Sequence, residues 1–132
     1  MRIIEIARPQ VPTDPILLER FTIAHLPDRT VEFLLFVGEE EAGLLVFEVW
    51  PRGSLGIIHE IFVLERFGMK GLGTSLLAEA HAYAARVGIT RLQLTPRCVQ
   101  PGRVSDEDLA RWYGSHGFSF PPDSTVQMLK DL

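Results

Sequence analysis

The spacing of apolar residues along the chain predicts strands that alternate with helices. Apolar runs of strand length occur at residues 1–6, 31–37, 44–50, 55–64 and 91–95. Apolar positions spaced by three and four instead predict one helix over about 15–25 and a second over 74–87. Asp14 is placed to cap the first helix, and Gly88 closes the second. The second and third apolar runs, joined by a polar segment, predict an antiparallel hairpin.

The last third of the chain predicts a third helix and a closing pair of strands. Ser105 is placed to open this helix, because acidic residues follow it in a first turn that favours negative charge. Gly117 ends the helix, and residues 118–120 and 125–130 predict the strand pair. A helix between the fourth and fifth strand-like runs implies that those two strands are parallel. The fold class is therefore α/β (α+β by stricter sorting), with a mixed sheet in one domain over residues 1–132.

Composition and charge exclude several classes of function. The chain has 132 residues, and its 46% hydrophobic content is enough to bury a core without disulfides. Its 13 basic and 17 acidic residues give a net charge of −4, so no basic surface for a nucleic acid is expected. The single Cys98 excludes an internal disulfide, and the four histidines lack metal-ligand spacing, so no metal site is predicted.

The hydrophobic runs also bear on location. None approaches the roughly 18 apolar residues that a membrane span requires. Residues 1–8 carry charges inside their apolar stretch, unlike a secretory signal. We therefore expect a cytoplasmic protein whose partners include neither a nucleic acid nor a membrane.

A glycine-rich segment, Gly68-Met-Lys-Gly-Leu-Gly73, lies between a predicted strand and a predicted helix. Such a turn presents free backbone N–H groups at a helix N-terminus, where the helix dipole favours an anion such as a diphosphate. The spacing does not fit a Walker loop, because no lysine precedes Thr74, and it reverses the glycine intervals of a dinucleotide fingerprint. A plain strand-to-helix turn is the structural alternative.

Two segments carry a family resemblance. Residues 61–77, Ile-Phe-Val-Leu-Glu-Arg-Phe-Gly-Met-Lys-Gly-Leu-Gly-Thr-Ser-Leu-Leu, resemble the acetyl-CoA-binding motif of the GNAT family of N-acetyltransferases. Residues 111–118, Arg-Trp-Tyr-Gly-Ser-His-Gly-Phe, resemble that family's late Phe-Tyr-x-x-x-Gly-Phe signature. Both segments are in the family order with a strand between them, and the similarity covers roughly 55 to 120. The N-terminal third is similar in element order only, with one helix where many members have two.

The resemblance implies a splayed central sheet of about six to seven strands flanked by about three helices. It also implies transfer of an acetyl group from acetyl-CoA to a primary amine of a small molecule or peptide, by direct attack in a ternary complex. The cofactor-binding residues it implies are Ile61, Phe62, Val63, Met69, Lys70, Gly71, Leu72, Gly73 and Thr74. Tyr113 matches the tyrosine of the late signature and is the predicted general acid. His59 and Glu60 are candidate bases, and strand alternation would place them on opposite sheet faces.

Departures from the family pattern leave alternatives open. Gly68 stands where the family loop usually begins with arginine or glutamine, and Arg66 and Lys70 are candidate substitutes. Ile57 removes another position at which members carry a base. These departures keep a non-catalytic acyl-CoA-binding or partner-binding domain as the alternative function, and homodimerisation stays open. Each candidate catalytic residue also has a purely structural interpretation. These are core packing for Tyr113, a structural role for His59 and an ion pair for Glu60. The acidic run 39–41 is interpreted as a solvated hairpin tip.

Overall fold

The computed structural model describes residues 1–50, 52–68, 70–97 and 104–132. Met69 and Cys98 lie outside the described residues. The strands are β1 (Arg2–Ile6), β2 (Thr30–Val37), β3 (Glu40–Trp50), β4 (Leu55–Val63), β5 (Arg91–Leu94) and β6 (Met128–Asp131). The helices are α1 (Pro15–Ala24), α2 (Leu72–Val87) and α3 (Asp106–Ser115), with a short 3₁₀ turn at Glu65–Phe67.

The strands form one mixed sheet in the order β1-β2-β3-β4-β5-β6. β4 and β5 are parallel and the other neighbours are antiparallel, which confirms the predicted crossover through α2. The predicted closing pair of strands is only partly present, because residues 118–120 contribute a single bridge between Ser119 and Leu129. Pro121 and Pro122 follow directly and have no N–H to extend a ladder. The part of the chain that the structure describes therefore forms a sheet of six strands.

The helix ends follow the capping signals in the sequence. The Asp14 side chain accepts hydrogen bonds from the N–H groups of Ile16 and Leu17 at the start of α1. Ser105 accepts from the Asp108 N–H at the start of α3, and Gly88 ends α2 in the left-handed region at φ 80°. These short-range predictions are confirmed because each cap depends on residues adjacent in the chain.

The hairpin between β2 and β3 is tighter than predicted. β3 begins at Glu40, so only Gly38 and Glu39 form the turn. The prediction of a solvated tip is wrong for Glu41. Its carboxylate accepts hydrogen bonds from the Thr13 N–H at 2.9 Å and the Asp14 N–H at 2.7 Å. The hairpin therefore fixes the start of α1, a contact that joins segments distant in sequence.

The helices cover opposite faces of the sheet. A side chain at Gly43 of β3 would approach Leu76 of α2 within 3.1 Å, so this face belongs to α2. Three residues on, Val46 has the opposite orientation, and its neighbour across the strands, Glu60, contacts Arg20 of α1. On the α2 face, Leu76 is fully buried. Burial of a leucine side chain contributes about 1.5–3 kcal/mol to folding.

The sheet splays open between β4 and β5. β5 pairs with β4 only from Leu55 to Ile58, whereas β4 continues to Val63 and stays paired with β3. The Leu64 N–H bonds to the Ala42 carbonyl of β3, so the alternate peptide groups, those of Ile61 and Val63, face the unpaired edge. This edge can accept an extended molecule as an additional strand.

Candidate active site

The start of α2 is built from backbone. Gly71 is its N-cap residue at φ 75°, a left-handed conformation that favours glycine. The helical hydrogen bonds begin with the Ser75 N–H to the Gly71 carbonyl at 3.2 Å, so the N–H groups of Leu72, Gly73 and Thr74 have no helical acceptor. These N–H groups and the dipole of a 16-residue helix form a position suited to an anion.

A cavity of about 450 Å³ connects this helix end with the splayed strands. Most predicted site residues line it: His59, Glu60, Ile61, Phe62, Val63, Gly71, Leu72, Gly73, Thr74 and Tyr113. Lys70 does not: it is exposed, with its Nζ 5.9 Å from the centre of the Phe67 ring. The Phe62 side chain is buried in the core. Phe62 therefore borders the cavity because of its position along the β4 backbone, and it offers no polar side-chain contact there.

Two arginines, Arg66 and Arg97, differ in whether they can replace the arginine that the family loop usually carries. Arg66 is directed toward the start of α1, where its guanidinium lies 3.9 Å from Asp14 and 3.8 Å from Glu40. Arg97, which the sequence analysis missed, lines the cavity from the segment after β5 and is exposed. Among the described residues, the cation that lines the cavity is therefore Arg97 and not the cations nearest the glycine turn in sequence. Thr95, Val104, Asp108, Leu109 and Trp112 are further lining residues that the sequence analysis did not assign to the site.

Tyr113 is held in the wall of the cavity. Its residue is 6% exposed, and its ring packs edge-on against Trp112 and Phe118 at 4.8 and 5.6 Å between centroids. No residue in the described part of the chain hydrogen-bonds its hydroxyl. Burial raises the pKa of Tyr113, and the nearby Glu60 carboxylate raises it further. The phenol is therefore protonated across the physiological range and is a ready hydrogen-bond donor.

A β-bulge at His59 changes the face on which this side chain lies. Val46 is opposite Glu60 and Phe47 is opposite Ile58, which leaves His59 without a partner across β3. His59 Nε2 reaches Glu48 Oε1 at 2.6 Å, and Glu48 is on the α1 face with Glu60. The predicted placement of His59 and Glu60 on opposite faces is therefore wrong, because the bulge interrupts the strict alternation.

Glu60 is engaged in an ion pair. Its Oε2 lies 2.5 Å from Arg20 Nε of α1, and the Arg20 guanidinium lies 5.9 Å from the centre of the Phe62 ring. The carboxylate is 9% exposed. Protonation of Glu60 would leave Arg20 without its buried counter-ion, which makes Glu60 a less suitable base than His59.

Glu48 contacts the site through His59, and the sequence analysis missed it. It is 3% exposed and also accepts a hydrogen bond from Arg29 Nη2 at 2.5 Å. Burial acts to raise the pKa of Glu48, but hydrogen bonds from His59, Arg29 and Trp50 outweigh burial and lower that pKa. One signal was available: Glu48 is the only charged residue in the apolar run 44–50.

A second, smaller cavity of about 220 Å³ adjoins the first. The two share Ile58, His59, Leu94 and Thr95. The smaller one adds Ile57, Gln93 and Gln127. Ile57 and Gln93 project to the α1 face by alternation, so the pair of cavities connects the two sides of the sheet at the splay. His59 lies at the junction.

Across the described ranges, no three His, Cys, Asp or Glu side chains are grouped so as to hold a metal ion. Within the same ranges, no helix has the length and apolar character needed to cross a membrane.

The splayed sheet, the glycine turn and the buried tyrosine together define the acyl-CoA-dependent acetyltransferase class that the sequence motifs indicate. The model of the acetyltransferase (GNAT) family matches residues 3–118, and the protein belongs to this family. Comparison with curated proteins finds no match.

Solved structures share the fold at low sequence identity. An IAA acetyltransferase from Bacillus cereus is 22% identical, with a TM-score of 0.73, and the match covers 99% of each chain. A GNAT family acetyltransferase from Elizabethkingia anophelis, solved with acetyl-CoA bound, is 17% identical over 99% of this chain and 97% of its own, with a TM-score of 0.71. The PaiA N-acetyltransferase from Thermoplasma acidophilum, in complex with coenzyme A, is 15% identical over 87% of this chain and 67% of its own, with a TM-score of 0.64.

Proposed function

We propose that the protein transfers the acetyl group of acetyl-CoA to a primary amine of a small molecule or peptide, by direct attack of the amine. The observation that carries this proposal is the convergence on one cavity of the β4 edge beyond Ile58, the first-turn N–H groups of α2 and Tyr113, whose hydroxyl has no hydrogen-bond partner among the described residues. Family membership supports acetyl transfer, and the acetyl-CoA and coenzyme A bound in two similar structures support the donor.

The residues present fit the donor molecule. A Cβ at Gly71 would meet no atom of the described residues within 4 Å, which supports room for a diphosphate beside the helix N-terminus. The peptide groups of Ile61 and Val63 would pair with the amides of the pantetheine arm as an added strand. Arg97 supplies positive charge on the rim of the same cavity.

The chemical step requires two proton movements. The nitrogen of the neutral amine forms a bond to the acetyl carbon while the carbon–sulfur bond breaks. One proton leaves the nitrogen for His59, and the departing thiolate receives the Tyr113 proton; solvent then returns the proton from His59 to the phenolate. A backbone N–H near Val63 would stabilise the negative charge that develops on the carbonyl oxygen. The raised pKa of Tyr113 makes full proton transfer harder than from an ordinary phenol, so hydrogen bonding to the sulfur accounts for much of its effect.

The smaller cavity is suited to the acceptor. Its residues Ile57 and Gln93 lie on the α1 face, so an amine bound there would approach the thioester from the side away from the glycine turn. Among the described residues that line it, His59 is the only ionisable one, and Gln93 and Gln127 supply neutral hydrogen-bonding groups. An acceptor with an uncharged polar group next to its amine would therefore fit.

The proposed function is tested by thioester release. Purified protein is mixed with acetyl-CoA and a panel of polyamines, aminoglycosides, amino acids and peptide amines, and free thiol is followed while the acetylated product is identified by mass spectrometry. Acetylation of one amine class above the buffer rate is the expected result. Binding of acetyl-CoA by calorimetry without transfer to any amine would instead favour a non-catalytic acyl-CoA-binding domain.

A further inference from the structure

Two buried histidine–glutamate pairs lie on the α1 face of the sheet. His25 Nδ1 contacts Glu32 of β2, and His59 Nε2 contacts Glu48 of β3. The two carboxylates are similarly buried, at 4% and 3% exposed. Only the second pair reaches the site: His59 lines both cavities, whereas His25 and Glu32 line neither. The first pair therefore serves as an internal reference for what such a pair does when it is structural.

The contact with Glu48 determines which nitrogen of His59 is available. An ionised carboxylate only accepts hydrogen bonds, so Nε2 must carry the proton and donate it across the 2.6 Å contact. In the neutral ring the lone pair is then on Nδ1, which has no partner among the residues that the structure describes. The side chain is 30% exposed, and its accessible part borders the cavities.

Glu48 is itself fixed. Arg29 donates to its Oε2 and His59 to its Oε1, so each carboxylate oxygen is engaged from a different side. The bulge that leaves His59 unpaired on β4 directs the imidazole to this carboxylate. A change at Glu48 would therefore alter both the tautomer and the orientation of His59.

We propose that Glu48 is a positioning residue, which holds His59 so that Nδ1 takes the proton from the attacking amine. This inference rests on the proposed acetyl transfer. As the nitrogen–carbon bond forms, one N–H proton of the amine passes to Nδ1, and the Glu48 carboxylate stabilises the resulting imidazolium. The thiolate receives its own proton from Tyr113, so the base and the acid act on different atoms.

Other charged groups surround His59 and enter any pH dependence. Arg29 acts through Glu48, and Arg20 acts through Glu60. The ionisable residues that share the larger cavity with His59 are Glu60, Arg97, Asp108 and Tyr113. A variant at Glu48 keeps the groups in the larger cavity and the pair of Arg20 with Glu60, and it changes only the partners of Glu48, which are His59 and Arg29.

The experiment compares the pH dependence of kcat/KM for wild type, His59→Gln and Glu48→Gln, with the amine that is acetylated fastest in the thioester-release panel. Loss of a positioned base typically lowers the rate by about 10² to 10⁴. We expect His59→Gln to fall in this range and to lose the contribution of His59 to the acidic limb of the profile, while the contribution from ionisation of the amine itself remains. We expect Glu48→Gln to lower kcat/KM by about tenfold or more and to move that limb to lower pH, because the charge that stabilises the imidazolium is removed.

Glu32→Gln and His25→Gln are the matched controls and are expected to keep the wild-type profile within about threefold in kcat/KM. A wild-type profile in Glu48→Gln, or an equal fall in Glu32→Gln, overturns the inference while the proposed function stands. Absence of transfer by the wild type to every amine refutes the proposed function and with it this inference.

A second measurement uses the wild-type protein and therefore does not depend on whether a variant folds. The ring nitrogen shifts of His59 in the ¹⁵N-labelled wild type, recorded above neutral pH, are expected to show a protonated Nε2 and an unprotonated Nδ1. The opposite tautomer would exclude the proposed role of Glu48.

Discussion

The two sides of the splayed region between β4 and β5 present different chemical groups, backbone on one side and side chains on the other. The side toward α2 is formed by backbone: a left-handed glycine at the helix N-cap, free N–H groups and the unpaired edge of β4. The side toward α1 is formed by side chains around two buried carboxylates: Glu48 pairs with Arg29 and accepts a hydrogen bond from His59, and Glu60 pairs with Arg20. Backbone groups bind a common feature such as a diphosphate whatever the neighbouring side chains are, whereas a side chain can be replaced to suit a new acceptor.

The difference has a consequence for mutation. On the α2 side, a substitution acts by adding atoms or charge where the backbone must be approached closely. On the α1 side, a substitution removes one partner of a pair with a buried carboxylate and leaves the other partner uncompensated. Donor binding and acceptor chemistry should therefore be separable by single variants.

The largest expected effect separates chemistry from donor binding. Tyr113→Phe keeps the packing against Trp112 and Phe118 and removes only the hydroxyl, which no described residue hydrogen-bonds. We expect kcat to fall by about 10² to 10⁴ while the Kd for CoA, measured by calorimetry, stays within about twofold. A variant that keeps more than about a third of wild-type kcat, with chemistry rate-limiting, would assign Tyr113 to packing alone.

The next largest effect is expected from a negative charge added at the N-terminus of α2. Gly73→Asp adds a carboxylate in the first turn of α2, where a Cβ would lie 3.7 Å from Trp112, an ordinary contact. Acidic residues at a helix N-terminus stabilise the free protein, so Tm should hold or rise, but the charge should weaken CoA by at least tenfold, about 1.4 kcal/mol. Gly73→Ala is the uncharged control, and equal CoA affinity in all three proteins would argue against a diphosphate at this helix end. Gly71 is less suitable for this test, because any side chain there is strained at φ 75°.

A smaller effect is expected from restoring the side chain that the family loop usually carries. Gly68 has φ −66° and ψ 165°, an extended conformation open to any residue, so Gly68→Arg should leave Tm unchanged. The added guanidinium should tighten CoA by about threefold to tenfold at low ionic strength, and salt should reduce this gain. Gly68→Gln controls for side-chain size. A drop in Tm without a gain in affinity would identify Gly68 as a structural requirement.

The smallest effect concerns stability against acid. Because the pKa of Glu48 is lowered in the folded protein, its ionised form adds stability above the pKa of the unfolded chain, and this is lost as pH falls through the folded value. The Tm difference between wild type and Glu48→Gln should therefore be largest near neutral pH and shrink as the solution is acidified. The Tm difference for Gly73→Ala should stay constant over the same range. A constant difference for both variants would contradict the lowered pKa.

The sequence predicts what depends on neighbours along the chain and misses what depends on register. The caps at Asp14 and Ser105 and the glycine turn before α2 were predictable because each is a short-range pattern. The bulge at His59 arises from how β3 and β4 align, and one unpaired residue is enough to change the face of a side chain. The contacts of Glu41 and Glu48 join segments far apart in the chain, so sequence spacing carries no information about them.

The shortness of β5 also decides which part of the sheet opens first. β5 and β6 have four residues each, whereas β2, β3 and β4 have eight, eleven and nine. Regions with few ladder bonds open locally at a lower free energy than the global unfolding of the protein. Amide hydrogens of β5 and β6 should therefore exchange with solvent before those of the central hairpin. β5 contributes Leu94 to the wall of the larger cavity. The residence time of a bound donor would therefore depend on how often β5 detaches from the sheet, as well as on the contacts that the donor makes.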